Sequence, residues 1–260
     1  MTTSSSTSPV PVALITGAAR RVGRSIALAL AERGYDIVIH YHRSEESARA
    51  LVGEIEAYGR RAVAIAAHLE VPAQIDALVP RATELLGAPL TLLVNNASHF
   101  ARDTLADASY EGFLSHQQVN LYAPMALSQA FAAQLPASAA GQIINLSDGV
   151  YGWSMSPHFL TYSLSKFGLL SLTELLASSL APKIRVNAIA LGPTLPGVMD
   201  TPGTFEKLAR LAPLKRVSAP EEVVAAMDYL LTAPSVTGQV LYLSGGMQLG
   251  GVNRPEVTPS

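Results

Sequence analysis

Seven short apolar runs, each separated from the next by a stretch of helical character or a turn-rich segment, limit what this chain of 260 residues can fold into. The runs fall at 12–16, 37–41, 62–66, 91–94, 142–146, 184–190 and 240–243. Each is shorter than an ordinary helix and carries apolar side chains at odd and even positions alike, the pattern of a strand buried on both faces. Between them, 22–33, about 44–58, about 72–86, 110–135, 162–180 and 221–231 read as helices. Strands that alternate with helices predict an α/β fold in which right-handed crossovers give a doubly wound, seven-stranded parallel sheet with helices on both faces. Punctuation agrees: Gly59 stops the second helix, Pro72 opens the third, and Ser44 is expected to cap the second. The long fourth helix is expected to be bent or interrupted near Pro124. No internal repeat or linker divides the chain, so 10–260 is expected to be one domain behind a Ser/Thr-rich tail, 1–9, expected to be disordered.

Hydrophobic residues make up 49% of the chain, enough for one substantial core. A formal net charge of −2 offers no broad basic face, so no nucleic-acid partner is expected. The absence of cysteine excludes disulfides, thiol catalysis and cysteine-ligated metal. His40 and His42 alternate in a strand and read as cofactor-edge or surface residues, so no metal is expected. No apolar run approaches the roughly 20 residues of a membrane span, and 1–9 lacks the charged and apolar regions of a signal peptide. The expectation is a cytoplasmic protein with no membrane partner.

In a doubly wound sheet, ligands bind beyond the carboxyl ends of the strands. The first strand runs into Thr16-Gly17-Ala18-Ala19-Arg20-Arg21-Val22-Gly23, and a helix follows. Gly17 and Gly23 let the backbone approach a pyrophosphate, and the helix N-terminus offers it unpaired N–H groups. Taken alone, the segment reads equally as an ordinary strand-to-helix turn. The second strand ends in His40-Tyr41-His42-Arg43-Ser44. An NAD site usually has an acid here for the ribose 2′-hydroxyl, but Asp36 lies at the opposite end of the strand. Arg43 and the Ser44 hydroxyl favour a 2′-phosphate instead, hence NADPH over NADH; the competing reading makes Arg43 a solvated helix-start residue. The fourth strand runs into Asn95-Asn96-Ala97-Ser98, which suits a flat ring and its ribose or, equally, an Asx-rich turn.

Tyr162 and Lys166 stand four apart at the start of a predicted helix and so share a face. A phenol with a pKa near 10 is a poor proton donor at neutral pH, and a neighbouring ammonium favours its ionised form. Tyr162 can then give a proton to substrate while a nicotinamide delivers hydride, with Lys166 also holding the nicotinamide ribose. Pairs at this spacing are common on helix surfaces, so context decides. The fifth strand ends in Asn145-Leu146-Ser147-Asp148-Gly149. Asp148 is placed to orient or protonate substrate and Ser147 to donate a hydrogen bond, or both simply form a turn. Asn120, unfavourable inside a helix, is expected to bind a backbone carbonyl or water near Lys166, or to be a buried structural residue.

Thr16-Gly17, Arg21, Gly23, Asn95-Asn96-Ala97, Asn120, Tyr162, Lys166 and Gly192-Pro193, in that order, resemble the short-chain dehydrogenase/reductase family over nearly the whole chain after Pro9. The resemblance implies a Rossmann-like domain, a proton relay of Asn120, Tyr162 and Lys166, cofactor contacts that include Arg20, Val22, Leu69, Gly192 and Pro193, and a homotetramer. Within the family the chain is most similar to pteridine reductases, through Arg21, the His40-Tyr41-His42-Arg43-Ser44 run, Ser98 and Phe100, and Asp148 beside the Tyr. That likeness implies hydride addition to a C=N bond of a pterin or dihydrofolate, with the proton passed on by Tyr162 and Asp148. It also implies that Ser98 contacts the pterin, that Phe100 stacks on it against the nicotinamide, and that Arg21 touches substrate and cofactor phosphate. Three features depart from the pattern. The Asp148-to-Tyr162 spacing is one residue long, so the loop bulges or Gly149 takes the Asp position. Residues 151–155, with Trp153, are unfamiliar. His68-Leu69 stands where an Asp-Leu is usual, altering or removing the adenine contact. The alternatives are an NADPH-dependent carbonyl reductase acting on a ketone, quinone or ketoacyl thioester, and a non-catalytic NADPH-binding protein. The Pro/Gly-rich stretch 192–203 reads as a lid over the site or as a static loop.

Overall fold

A computed structural model describes residues 10–149, 158–197 and 202–249. Seven strands, β1 (Val12–Ile15), β2 (Asp36–Tyr41), β3 (Ala62–Ala66), β4 (Leu92–Asn95), β5 (Gly141–Asp148), β6 (Ile184–Leu191) and β7 (Val240–Leu243), form one sheet in the order β3-β2-β1-β4-β5-β6-β7. Every pairing is parallel. The helices are α1 (Arg21–Glu32), α2 (Glu45–Ala57), α3 (Pro72–Leu86), α4 (Tyr110–Gln117), α5 (Ala123–Gln134), α6 (Leu160–Leu180), α7 (Thr204–Leu211) and α8 (Pro220–Thr232). This is the doubly wound parallel sheet expected from the alternation of runs.

The uniform apolarity of the strands follows from coverage on both faces. Alternate residues such as Ala13, Ile15, Ile37, Ile39 and Val94 pack against Ile26 and Leu30 of α1, Leu51 and Ile55 of α2, and Val223 and Leu230 of α8. Their neighbours Val12, Leu14, Val38, Leu93 and Ile143 pack against Ile75 and Leu78 of α3 and Leu127 and Phe131 of α5. A fully buried Leu or Ile side chain contributes about 1.5–3 kcal/mol, and charge on either face of a central strand would oppose that. Asp36 is the exception. At the first position of β2 and 1% exposed, it accepts from the backbone N–H of Arg61 at 3.0 Å and from its Nε at 2.7 Å. The carboxylate is thereby fixed at the amino end of β2, away from the strand tips.

The helix expected over 110–135 is interrupted near Pro124, as expected, by a π turn at Gln118–Tyr122, and Pro124 sits in the first turn of the helix that follows. A missing N–H disturbs nothing there, so Pro124 restarts the helix. Ser44 occupies the N-cap of α2 but makes no capping bond with its side chain; Glu45 and Glu46 stand in the first turn, where the helix dipole favours them. β5 and β6 run on to Asp148 and Leu191, with Ser147 paired to Ala190 and Asp148 to Leu191. Ser147 and Asp148 therefore do not form a turn; the ladder holds their backbones whatever their polarity.

The β1–α1 connection is closely packed. Gly17 has φ +65°, and a Cβ added at Gly23 would stand 2.5 Å from the Gly17 carbonyl oxygen and 2.7 Å from Asn96 Nδ2. Gly23→Ala is expected to lower stability by about 1–3 kcal/mol, read from urea denaturation; a change below about 0.5 kcal/mol would mean that the loop has room this packing denies.

Candidate active site

A cavity of about 720 Å³ crosses the carboxyl ends of six neighbouring strands. Residues following β3, β2, β1, β4, β5 and β6 all line it, together with Tyr162 and Lys166 of α6. Five inter-strand gaps of about 4.8 Å make it roughly 24 Å across, the reach of an extended dinucleotide. It straddles the point between β1 and β4 where the strand order reverses, the place where such sheets bind ligands.

The loop after β1 is held on two sides. The Gly17 N–H donates to His40 Nδ1 at 3.1 Å, and His40 Nε2 lies 3.1 Å from the Ala67 carbonyl oxygen. The accepting role of Nδ1 puts the ring proton on Nε2, which donates to Ala67. Burial holds the ring neutral, with its pKa lowered to about 4. His40, expected at the cofactor edge, is 1% exposed and ties the first loop to the exit of β3. On the other side, Asn96 Nδ2 donates to the carbonyls of Thr16 at 2.7 Å and Gly17 at 3.2 Å. Thr16 Oγ1 accepts from the backbone N–H groups of Asn96 and Ala97, both at 2.9 Å. Asn95 donates to Asn145, and Asn145 to Thr173 on α6. The two amides expected to face a ring and ribose are thus committed to the scaffold, while Asn96, Ala97 and Ser98 still border the cavity.

This scaffold leaves the start of α1 open towards the cavity. Arg20, the N-cap of α1, provides no side-chain cap, so no side chain at that position serves the first-turn N–H groups. Arg20, Arg21, Val22 and Gly23 line the cavity there. Arg21 has φ +57°, and its guanidinium donates to the carbonyls of Pro196 at 2.9 Å and Leu195 at 3.3 Å. It therefore clasps the segment after β6. Tyr41, His42, Arg43 and Ser44 border the same cavity, and no acid stands among them. Leu69, 6% exposed, and His68 close the far end. Gly192 borders the opposite end, where a Cβ would stand 2.7 Å from Ser244 Cα; Pro193 is not among the cavity residues.

At the tips of β5 and α6 the Tyr162 hydroxyl donates to Asp148 Oδ2 at 3.1 Å. Asp148 itself thus faces the phenol, and Gly149 does not replace it. Residues 150–157, where the expected bulge and the unfamiliar stretch with Trp153 fall, lie outside the described residues. Lys166 is 3% exposed; its Nζ lies 6.0 Å from the Tyr162 ring centre and donates to the Leu146 carbonyl at 3.1 Å. Burial pushes the ammonium down to about 8, and the Asp148 carboxylate works in the opposite direction. Ser147, expected to donate to substrate, instead donates to the Lys166 carbonyl at 3.3 Å.

Asn120 is fully buried in the π turn and bonds a backbone carbonyl, that of His99, in keeping with both readings expected of it. It accepts from the His99 N–H at 2.8 Å and Ser98 Oγ at 3.2 Å, and donates to the His99 carbonyl and Ser165 Oγ, both at 2.9 Å. It holds the loop after β4 against α6. Phe100 stacks on Phe159 with ring centres 4.9 Å apart and meets the Tyr162 ring edge-on at 4.8 Å. One of its faces is therefore already covered. Of the stretch read as a lid, 198–201 lie outside the described residues.

Sequence reading missed a second polar chain. His116 Nε2 accepts the Ala101 N–H at 3.2 Å, and its Nδ1 bonds Thr161 Oγ1 at 2.7 Å. Thr161 donates its hydroxyl to Asp103, whose carboxylate also accepts the Thr161 backbone N–H at 3.1 Å. Asp103 thus satisfies an open N–H at the start of α6, one residue before Tyr162. The i,i+4 spacing of His116 and Asn120 was the available signal, the same spacing that flagged Tyr162 and Lys166.

The chain matches the family described as enoyl-(acyl carrier protein) reductase over residues 17–248. It is 34% identical over 245 residues to a 3-oxoacyl-[acyl-carrier-protein] reductase of Synechocystis, covering 91% of this chain and 96% of the relative. The solved structure of FolM alternative dihydrofolate reductase 1 from Brucella canis, complexed with NADP, superposes with a TM-score of 0.86 at 36% identity, covering 92% of this chain and 94% of that one. The landomycin C-6 ketoreductase LanV, solved with NADP and rabelomycin, gives 0.81 at 31% identity, with 92% and 97% covered.

A buried lysine whose pKa is lowered binds fewer protons folded than unfolded between pH 8 and 10.5, so its contribution makes stability rise with pH across that window. Lys166→Met should therefore gain on wild type at neutral pH and lose that relative gain, on the order of 3 kcal/mol, as the pH rises past 10. Urea denaturation of both proteins from pH 7 to 10.5 reads this; a stability difference independent of pH would contradict it.

Proposed function

We propose that this chain, which belongs to the short-chain dehydrogenase/reductase family, is an NADPH-dependent oxidoreductase that reduces a C=N bond of a pterin or dihydrofolate-type substrate. The observation that carries the reading is the Tyr162 hydroxyl on Asp148, with Lys166 beside the phenol. A ketone needs one proton, delivered to oxygen. A pterin needs its proton at a ring nitrogen and also presents N–H groups, for which a carboxylate beside the Tyr is the matching acceptor.

When bound, the nicotinamide supplies hydride. The protein's part is proton handling and orientation. Tyr162 gives the phenol proton to the substrate nitrogen, and the Lys166 ammonium offsets the charge left on oxygen. Asp148, in hydrogen-bond contact with that oxygen, orients the phenol and, after turnover, passes to the phenolate a proton that it takes from solvent, returning to its carboxylate form. Arg20 and the open start of α1 receive the pyrophosphate, and Arg43 and Ser44 receive the 2′-phosphate. Arg21 and Ser98 border substrate and cofactor together. Phe100, already stacked on Phe159, offers its remaining face and edge beside Tyr162. The family resemblance supports a homotetramer and a cytoplasmic location. No helix among the described residues is long and apolar enough to cross a membrane, and no group of three or more potential ligand residues there is suited to a metal ion.

A second reading, reduction of a ketone, quinone or ketoacyl thioester, draws on the Synechocystis relative and LanV, and on the partial covering of Phe100. A non-catalytic NADPH-binding role would leave the arrangement of Tyr162, Asp148 and Lys166 without a use.

NADPH oxidation by the purified protein separates these, using dihydrobiopterin, dihydrofolate, a quinone and a ketoacyl ester. Turnover with the pterin or folate is expected, with Tyr162→Phe lowering kcat by about 10²–10⁴-fold and Phe100→Ala weakening pterin preference. Turnover confined to the carbonyl compounds would replace the first reading by the second, and no NADPH consumption with any compound would eliminate both. Arg43→Ala should raise KM for NADPH roughly tenfold or more, the loss of a charge-assisted hydrogen bond, with little effect on KM for NADH; equal effects on the two would refute the 2′-phosphate role.

A further inference from the structure

Two histidines meet at the nucleotide end of the cavity. His42 follows β2, His68 follows β3, and their ring centres lie 4.1 Å apart, edge to face at 68°. Both border the cavity beside Arg43 and Ser44. His68 Nδ1 accepts the Glu70 N–H at 3.2 Å, which leaves Nε2 to carry the ring proton, 3.8 Å from a Glu70 carboxylate oxygen. The contrast with His40 is informative. That ring is buried, bonded at both nitrogens and neutral. No such commitment holds the His42 ring within the scaffold's hydrogen-bond network.

Three groups able to carry positive charge are crowded here: His42, Arg43 and His68. Crowding like charges without an anion is unfavourable. His42 registers this: its pKa is lowered, chiefly by desolvation and then by His68 and Arg43, with Glu70 opposing. An anion among the three would add an attraction to each of them that offsets their mutual repulsion. Other charged groups on the same cavity are Arg20 and Arg21 in the first loop, which add to the positive field, Glu70, which opposes it at this end, and Lys166 with Asp148 at the other end; Glu45 and Glu46 follow Ser44 in the first turn of α2 and also oppose it. Asp36 is at the far end of β2 and held by Arg61.

We propose that His42 and His68 are specificity-determining residues for the phosphorylated end of NADPH, and that together they take up a proton as the 2′-phosphate settles between them and Arg43. The inference rests on the NADPH reading and goes beyond it. His68 is no defect in the adenine pocket. It replaces a fixed carboxylate with a group that becomes a cation when the phosphorylated cofactor is present. Preference for NADPH over NADH then strengthens as the pH falls from 8.5 towards 6.5. It stops strengthening near pH 6, where a phosphate monoester takes up its own second proton.

Calorimetric titration of the full-length protein with NADPH and with NADH, in two buffers of different protonation enthalpy at pH 7.5, counts the protons taken up. Wild type should take up roughly half a proton to one proton more with NADPH than with NADH. His68→Asn and His42→Asn should each cut that difference by half or more. Each should also weaken NADPH binding at pH 6.5 by roughly tenfold, the loss of a charge-assisted contact. His68→Asp should weaken NADPH at both pH 6.5 and 8.5. Equal proton uptake with the two cofactors in a wild-type protein that still prefers NADPH would overturn this inference alone. So would histidine variants with unchanged NADPH-to-NADH ratios at both pH values. A wild-type protein that binds the two cofactors equally at every pH, or binds neither, would remove the NADPH reading and this inference together.

Discussion

A parallel sheet covered by helices on both faces leaves one place where polar chemistry is inexpensive: the row of strand tips. The strands here are apolar on both sides because both sides are packed. Polar residues that are not scaffold therefore gather where the ladder ends. The reversal of strand order between β1 and β4 opens a crevice in that row. Gly17, Asn96, Arg43, Asp148 and Gly192 come from five different segments, yet they border one cavity because each follows or ends a strand of the same sheet. The site is a consequence of the topology, and the chemistry depends on what stands at each tip.

What stands at the tips is held by polar side chains whose hydrogen bonds go to the scaffold. His40 pins the Gly17 loop towards β3 and Asn96 pins it towards β4. Asn120 and the His116–Thr161–Asp103 chain fix the loop after β4 against the start of α6, where Tyr162 sits. Pre-organisation of this kind matters because a proton donor misplaced by an ångström loses much of its advantage. The buried polar groups are bonded to one another, which is the condition under which they stiffen a site rather than destabilise it.

This division of labour explains which parts of the molecule were legible in the sequence. Strands and helices were legible because burial on two faces leaves a plain apolar signature, and the glycine loop was legible because backbone approach requires Gly17 and Gly23. The spacing of Tyr162 and Lys166 placed them on one helical face, and the structure brings both to the cavity with Asp148. Sequence position tells which residue ends a strand but not where its hydrogen bonds go. Hence the scaffold bonds of Asn95, His40 and Ser147 were not foreseen, although His40 and Ser147 border the cavity as well. Asp103, His116 and Thr161 were overlooked because their link closes across 45 to 58 residues, a distance at which no local periodicity operates. Ser44 is a milder case: the right residue type at an N-cap whose side chain makes no cap bond.

The placement of charge gives the cavity a direction. Arg20, Arg21, Arg43, His42 and His68 lie along the loops after β1, β2 and β3, and the Lys166–Asp148 pair lies beyond β4 at the tips of β5 and α6. A dinucleotide phosphate carries most of its negative charge on the adenosine half and the pyrophosphate. In this field the proposed orientation, with that half over β2 and β3 and the nearly neutral nicotinamide half beside Tyr162, is the one of lower energy. The buried Lys166 makes the preference sharper. Its ammonium is already difficult to keep charged, and Asp148 answers it locally, so little of its field is left to attract phosphate into the reaction site. The separation of a cationic binding end from a locally balanced chemical end lets the same row of strand tips grip an anion tightly and still move a proton.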